Sequence, residues 1–217
     1  MAEPYKVLLV GASGRGKTYS LRNMNRATTG YLNVEKKPLP FKGDFKFNVS
    51  PSTHYEVLET MKLFSQNPEI STIVIDSFSA YIDMVMLEAR KVKKGYDVFN
   101  FYNEQIGLFN SYVKQIRKET FVTAHYEVIA DELGGSKERR AKVKGKEWEG
   151  FIEKDYTIVL FTESKIIPGQ AKPKHYFTLV NDGTSSTKIP PEVFGEEVLD
   201  CDNDSNLVLQ KLKEFSS

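Results

Sequence analysis

The chain has 217 residues, 40% hydrophobic and 27% charged, enough for one domain with a real core and a solvated surface. A formal net charge of +1 excludes nucleic-acid affinity driven by overall charge, so any such affinity must come from local patches. The lone Cys201 excludes an intrachain disulfide framework and a cysteine-rich zinc site, and no signal peptide or membrane-length apolar run is visible, so a cytoplasmic protein is expected.

Residues 5–10, YKVLLV, form a short apolar run stopped by glycine, which predicts a buried parallel strand. Residues 17–26 are expected to form the helix leaving the glycine-rich turn. GYLNVE (30–35) reads as a second strand ending in Glu35 and stopped by KKPLP, and FKFNV (45–49) as a third. The next segment opens with capping residues and Pro51, then spaces Val57, Met61 and Phe64 at helical intervals. STIVIDS (71–77) is a buried strand, and residues 78–94 an amphipathic helix interrupted by GYDVFNFYN. A second helix runs to about residue 118, and TFVTAH (120–125) is another strand.

ELGGSKERRAKVKGK then loses apolar periodicity, as a loop or a pair of loose strands would. DYTIVLFT (155–162) and KHYFTLV (174–180) read as strands joined by a turn-rich segment, and a helix over 205–215 closes the chain. Strands alternating with helices and ending in a strand pair predict an α/β fold: a mostly parallel sheet flanked by helices, with a C-terminal antiparallel hairpin. One domain over 1–217 is expected, with a core of about 5–180 and an extension of about 181–217.

GASGRGKT fits the phosphate-loop pattern G-x-x-x-x-G-K-[ST], with Gly11, Gly16, Lys17 and Thr18 in the defining places. It follows a predicted strand and opens a predicted helix, the setting in which backbone N–H groups cradle phosphates. Gly11, Ala12, Ser13, Gly14, Arg15, Gly16, Lys17, Thr18 and the following Tyr19 would therefore line a bound nucleoside triphosphate. Lys17 would meet the β- and γ-phosphates, and the Thr18 hydroxyl would ligate Mg²⁺. In TIVIDS, an apolar run ending in Asp76 matches the strand whose aspartate serves Mg²⁺; the alternative is an aspartate that caps the next helix. Ser77 follows where a second acid would stand, so the group polarising the attacking water must come from elsewhere. Glu35, at the end of its strand, is the candidate, against an ordinary surface glutamate beside Lys36 and Lys37. His125 ends a strand at the same predicted sheet edge, as a γ-phosphate sensor or as a structural histidine.

A phosphate-loop strand, a strand ending in glutamate, VIDS and a strand ending in a polar group together resemble the RecA-like ATPase core. VIDSFSAYID and the small size look like the compact phage-encoded RecA-like ATPases that act as single-strand annealing recombinases. That resemblance implies Mg-dependent ATP hydrolysis, with Asp76 as the Mg²⁺ aspartate, Glu35 activating water and His125 as sensor. It also implies single-stranded DNA as partner and self-association into a ring or filament. The polymerisation segment that precedes the core in full-length RecA proteins is not expected here, and histidine stands at the sensor where RecA has glutamine.

SKERRAKVKGK carries Lys137, Arg139, Arg140, Lys142, Lys144 and Lys146 against Glu138 alone, directly after the sensor strand. It suits phosphate tracking along a single strand, or is simply a solvated charged loop. The resemblance puts a DNA-binding loop here. KVKKGYDVFNFYN sets Lys91, Lys93 and Lys94 before Tyr96, Phe99, Phe101 and Tyr102; these aromatics, like Trp148, would stack bases or pack into the core or a subunit interface. Lys172 and Lys174 would share one face of an extended segment, as groups acting in trans on a neighbouring γ-phosphate or as edge-strand lysines. Two other function classes remain open: a P-loop ATPase acting on protein partners, such as a helicase loader, and a small-molecule kinase with Arg139 and Arg140 as its lid.

Overall fold

The computed structural model describes residues 3–130, 137–148, 150 and 152–217. Its strands are β1 (Lys6–Val10), β2 (Thr29–Asn33), β3 (Phe47–Val49), β4 (Thr72–Asp76), β5 (Glu119–Ala124), β6 (Tyr126–Ala130), β7 (Lys137–Ala141), β8 (Ile158–Lys165), β9 (Lys174–Thr178) and β10 (Asp200–Asp202). The α-helices are α1 (His54–Gln66), α2 (Phe78–Val92), α3 (Asp97–Gln115) and α4 (Ser205–Phe215).

Eight strands form one sheet in the order β10-β9-β8-β1-β5-β4-β2-β3. Pairing is parallel from β8 across to β3, and β9 and β10 add antiparallel to the β8 edge. This is the expected mostly parallel α/β sheet with a C-terminal hairpin, extended by the short β10. Period-two alternation places Leu8 and Val10 of β1 in one core layer and Val7 and Leu9 in the other. α1, α2 and α3 cover the first layer through residues such as Met61, Phe78 and Phe109. α4 covers the second through Val208, Leu209 and Leu212, beside Leu21. Each fully buried Leu or Phe here contributes about 1.5–3 kcal/mol, so the sheet centre, where β1 is wholly buried, is the rigid base of the molecule.

Caps set the helix starts. Thr53 accepts from the Glu56 N–H (3.2 Å) to open α1, and Asp204 accepts from the N–H groups of Asn206 and Leu207 (2.9 and 3.3 Å) to open α4.

The helix expected over residues 17–26 is instead one short 3-10 turn, Tyr19–Asn23. Side chains compete there for the backbone: Arg26 donates to the Arg22 carbonyl (2.6 Å), and Asn25 accepts from the Ala27 N–H (2.9 Å), closing a turn where a helix would continue. Of the two readings of the basic segment, a loop or a pair of strands, the structure has strands over Lys137–Ala141, as β7 pairs antiparallel with β6 outside the main sheet, and Lys142 and Lys144 follow beyond it. Ser136 lies outside the described residues, as does the side chain of Lys146.

Candidate active site

Parallel strands carry their C-terminal ends to one edge of the sheet, and chains leaving that edge in opposite directions open a crevice there. The loop after β1 turns back on itself through Gly14 (φ 73°) and Gly16 (φ 92°), the left-handed conformations that aim successive N–H groups inward. Gly16 is further required by space, since a Cβ there would lie 2.9 Å from both Asn203 Oδ1 and the His175 ring. Lys17 is 7% exposed, and its ammonium donates to the carbonyls of Gly11 (2.8 Å) and Ala12 (2.9 Å). Burial lowers its pKa to about 8, with Asp76 and Glu35 opposing.

Asp76, at the end of β4, is 4% exposed and accepts from three hydroxyls. Its Oδ2 accepts from Thr18 (2.7 Å) and Tyr31 (2.8 Å), and its Oδ1 accepts from Thr123 (2.5 Å). Burial first, and then the Asp76 carboxylate, raise the Tyr31 hydroxyl far above its ordinary pKa, so it stays a donor. β2 stops at Asn33, and the N–H groups of Val34 and Glu35 donate to the Asp76 carbonyl (2.7 and 3.2 Å), which ties Glu35 beside the aspartate. The Glu35 carboxylate accepts from Ser77 Oγ (3.0 Å) and pairs with Lys37 (2.5 Å). Burial alone would raise its pKa, but the bonds from Lys37 and Ser77 outweigh it and hold the carboxylate below its usual value.

His125 follows β5 directly. Its N–H donates to Ser79 Oγ of α2 (2.8 Å), and its carbonyl accepts from the Lys142 N–H (2.8 Å), just past β7. The ring sits between two partners: Nδ1 lies 3.4 Å from the Lys17 ammonium and Nε2 lies 3.9 Å from Glu35 Oε1. Burial, and then the Lys17 charge, lower its pKa. A neutral ring accepting from Lys17 at Nδ1 carries its proton on Nε2, on the Glu35 side.

Lys17, Thr18, Asp76, Glu35 and His125 therefore line one cavity of about 360 Å³, together with Ser13, Gly14, Gly16 and Tyr19, whereas Gly11, Ala12 and Arg15 do not line it. Sequence reasoning missed Tyr31, Thr123, Lys37 and His175. All but Thr123 line the cavity, and only their place in the register or in a turn brings them there.

The other expected groups lie elsewhere. Arg139 is ion-paired with Glu163 and lies over the rings of Tyr126 and Phe161, while Arg140 pairs with Glu138 (2.7 Å). Lys144 pairs with Asp83 (2.5 Å); Lys137 and Lys142 are exposed, with no ionic partner among the described residues. Lys172 lies in the bend before β9 and does not share a strand face with Lys174, whose ammonium pairs with Asp202 (2.7 Å). Tyr102 is fully buried and Trp148 packs against the core, which settles them as structural, whereas Tyr96 and Phe99 are exposed.

A family model described as an AAA domain matches residues 3–190. The chain belongs to that family. AAA domains are P-loop ATPases, a class that takes a nucleoside triphosphate and usually Mg²⁺. Among solved structures, this AAA domain is similar to a KaiC-like protein from Pyrococcus horikoshii OT3, at 14% identity over 82% of this chain and 79% of that one, with a TM-score of 0.49. It is also similar to the flagellar accessory protein FlaH from Methanocaldococcus jannaschii, at 15% identity over 82% and 78%, with a TM-score of 0.46. No curated protein matches significantly.

The donor set fits Mg²⁺. The Thr18 hydroxyl and the Asp76 carboxylate present adjacent hard oxygens, and no cluster of three His, Cys, Asp or Glu able to hold a metal exists among the described residues. Two protein oxygens would leave the rest of a six-coordinate shell to phosphate oxygens and water, which is how Mg²⁺ is held in nucleotide sites. No helix among the described residues is long and apolar enough to cross a membrane.

Proposed function

We propose that this AAA domain hydrolyses ATP with Mg²⁺ and couples that cycle to single-stranded DNA held by the segment after His125. The observation that carries the hydrolytic part is convergence: groups following β1, β2 and β5 and the end of β4 meet in one cavity. Lys17 and the inward N–H groups of the loop bind the phosphates. Thr18 and Asp76 would hold Mg²⁺, which supplies charge neutralisation on the phosphate oxygens when bound. Glu35, held ionised by Lys37 and Ser77, orients water and accepts its proton. His125 keeps a donor at Nε2 beside that water, while Lys17 fixes the ring from the other side.

The coupling rests on covalent and hydrogen-bond continuity. His125 immediately precedes β6, and its carbonyl bonds the Lys142 N–H at the far end of the pair. A second cavity of about 530 Å³, lined by Ser13, Ser79, His125 and Lys142, adjoins the cleft. Lys137 and Lys142 would contact DNA phosphates; Lys172, exposed before β9, is the better placed of the two hairpin lysines to act across a ring or filament. A role in phage recombination or replication belongs to the same reading. A protein partner is the second reading, favoured by the internal pairing of Arg139, Arg140 and Lys144. Arg139 and Arg140 do not line the cleft, which argues against a kinase lid.

Phosphate release with Mg²⁺, measured with and without single-stranded DNA, tests both parts. Release stimulated by DNA is expected. No release in either arm defeats the hydrolytic reading, and release with no response to DNA and no DNA retention turns the coupling toward a protein partner.

A further inference from the structure

The strand order divides the cleft. His125, Asp76 and Glu35 stand after or at the ends of β5, β4 and β2, all on one side of β1. His175 stands on β9, on the other side, with β8 between, so its strand lies about 10 Å from β1 at ~4.8 Å per strand. The hydrolytic end of a triphosphate centred on the loop must point toward β5, β4 and β2. The nucleoside is left to the β8–β9 side.

Two side chains of the cleft wait on that side. Tyr19 is 40% exposed and lines the cavity, and the Arg22 guanidinium covers one face of its ring at 4.4 Å from the centroid. Arg22 is itself anchored, donating to the Asn203 carbonyl (2.5 Å), so the segment before α4 fixes the ring's orientation. His175 stands at a centroid distance of 6.4 Å from Tyr19 and packs against Gly16. Ser164 Oγ holds its Nδ1 at 2.6 Å, which leaves Nε2 without a protein partner among the described residues. Burial, and then the charges of Arg15 and Arg22, lower the His175 pKa, so the ring is neutral near pH 7.

Resting on the ATPase reading above, we propose that Tyr19 and His175 form the nucleoside subsite, with the base stacked on the face of Tyr19 opposite Arg22 and a sugar hydroxyl bonded to His175 Nε2. Neither residue touches phosphate in this arrangement. The prediction therefore separates two probes, Mg·ATP and Mg·tripolyphosphate, titrated calorimetrically into the full chain. Tyr19→Ala and His175→Ala are each expected to weaken ATP about tenfold, the scale of one lost stacking or hydrogen-bonding group, with tripolyphosphate affinity unchanged. Tyr19→Phe keeps the ring and should retain ATP affinity.

Equal weakening of both probes by Tyr19→Ala would mean that the residue only supports the loop, and no weakening of either would mean that the base lies elsewhere; each result overturns the subsite. Because His175 packs on Gly16, its variant alone could disturb the loop, and the tripolyphosphate arm reports that directly. Failure of the wild-type chain to bind tripolyphosphate in a Lys17-dependent way would instead defeat the ATPase reading, a different result from loss of base selectivity.

Discussion

The cleft around Asp76 and the β6–β7 pair both concentrate charge, yet they use it differently. In the cleft Asp76 and Lys17 are buried, and the hydrogen bonds around these two orient without neutralising: three hydroxyls hold Asp76, and two carbonyls hold Lys17, while Glu35 beside them is paired with the exposed Lys37. On β7 and just beyond it many charges are present, yet Arg139, Arg140 and Lys144 are each paired with a carboxylate of the same chain. A carboxylate held by neutral donors keeps its full charge for a ligand, whereas an arginine on a glutamate must give up that partner first. Cationic density along a sequence is thus a poor measure of charge on offer.

Glu35→Gln sharpens the first half of the comparison most. The amide retains size but cannot accept water's proton, so turnover should fall by about 10²–10⁴-fold with ATP affinity nearly unchanged. Single-turnover phosphate release with a parallel binding titration checks this, and wild-type turnover would reduce Glu35 to a partner of Lys37. Lys17→Ala is next, removing a charge-assisted contact to phosphate and weakening ATP roughly 10–100-fold. Unchanged ATP affinity in that variant would mean that the loop does not bind phosphate.

The difference between the regions also explains what could be read from the amino acids. The places of the loop and of Asp76 were legible because an apolar run stopped by a glycine-rich turn, or ending in an acid, marks a strand edge. Tyr31 and Thr123 were not, since their meeting with Asp76 depends on register: Ile75 pairs with Val122, which brings Thr123 level with Asp76 on the neighbouring strand. The short turn after the loop was misread as a helix because Arg26 and Asn25 act on the backbone through bonds that no periodicity records. The arginines of β7 read as free because their carboxylates include Glu163, on a strand of the main sheet.

Titration offers a gentler probe of the cleft. Lys17 must be protonated to meet phosphate, and in the free protein its pKa is lowered to about 8. Where phosphate restores the charged form in the complex, ATP affinity holds below pH 7 and declines as pH rises through 8. Between pH 7 and pH 9 the decline should approach about tenfold. Affinity that stays flat to pH 10 would place the free ammonium at its ordinary value.

The smallest effect belongs to the basic pair, and it separates charge that is present from charge that is available. Lys137 and Lys142 are exposed and have no ionic partner among the described residues, so on the proposed reading each would contact a phosphate of single-stranded DNA. Replacing both with glutamine should make the slope of log affinity against log salt shallower by about 1.4, at ~0.7 per contact, with only a several-fold loss of affinity at low salt. Replacing Arg139 with glutamine should leave that slope alone, because its guanidinium is committed to Glu163 and to the rings of Tyr126 and Phe161. Its cost should appear as a lower melting temperature, since Glu163 would lose its charged partner and the ring contacts would be lost. Filter-binding titrations at several salt concentrations, paired with thermal melts, distinguish the two variants. If Arg139→Gln flattens the salt dependence as much as the lysine pair does, internal pairing does not withhold charge here, and the contrast between the two regions fails.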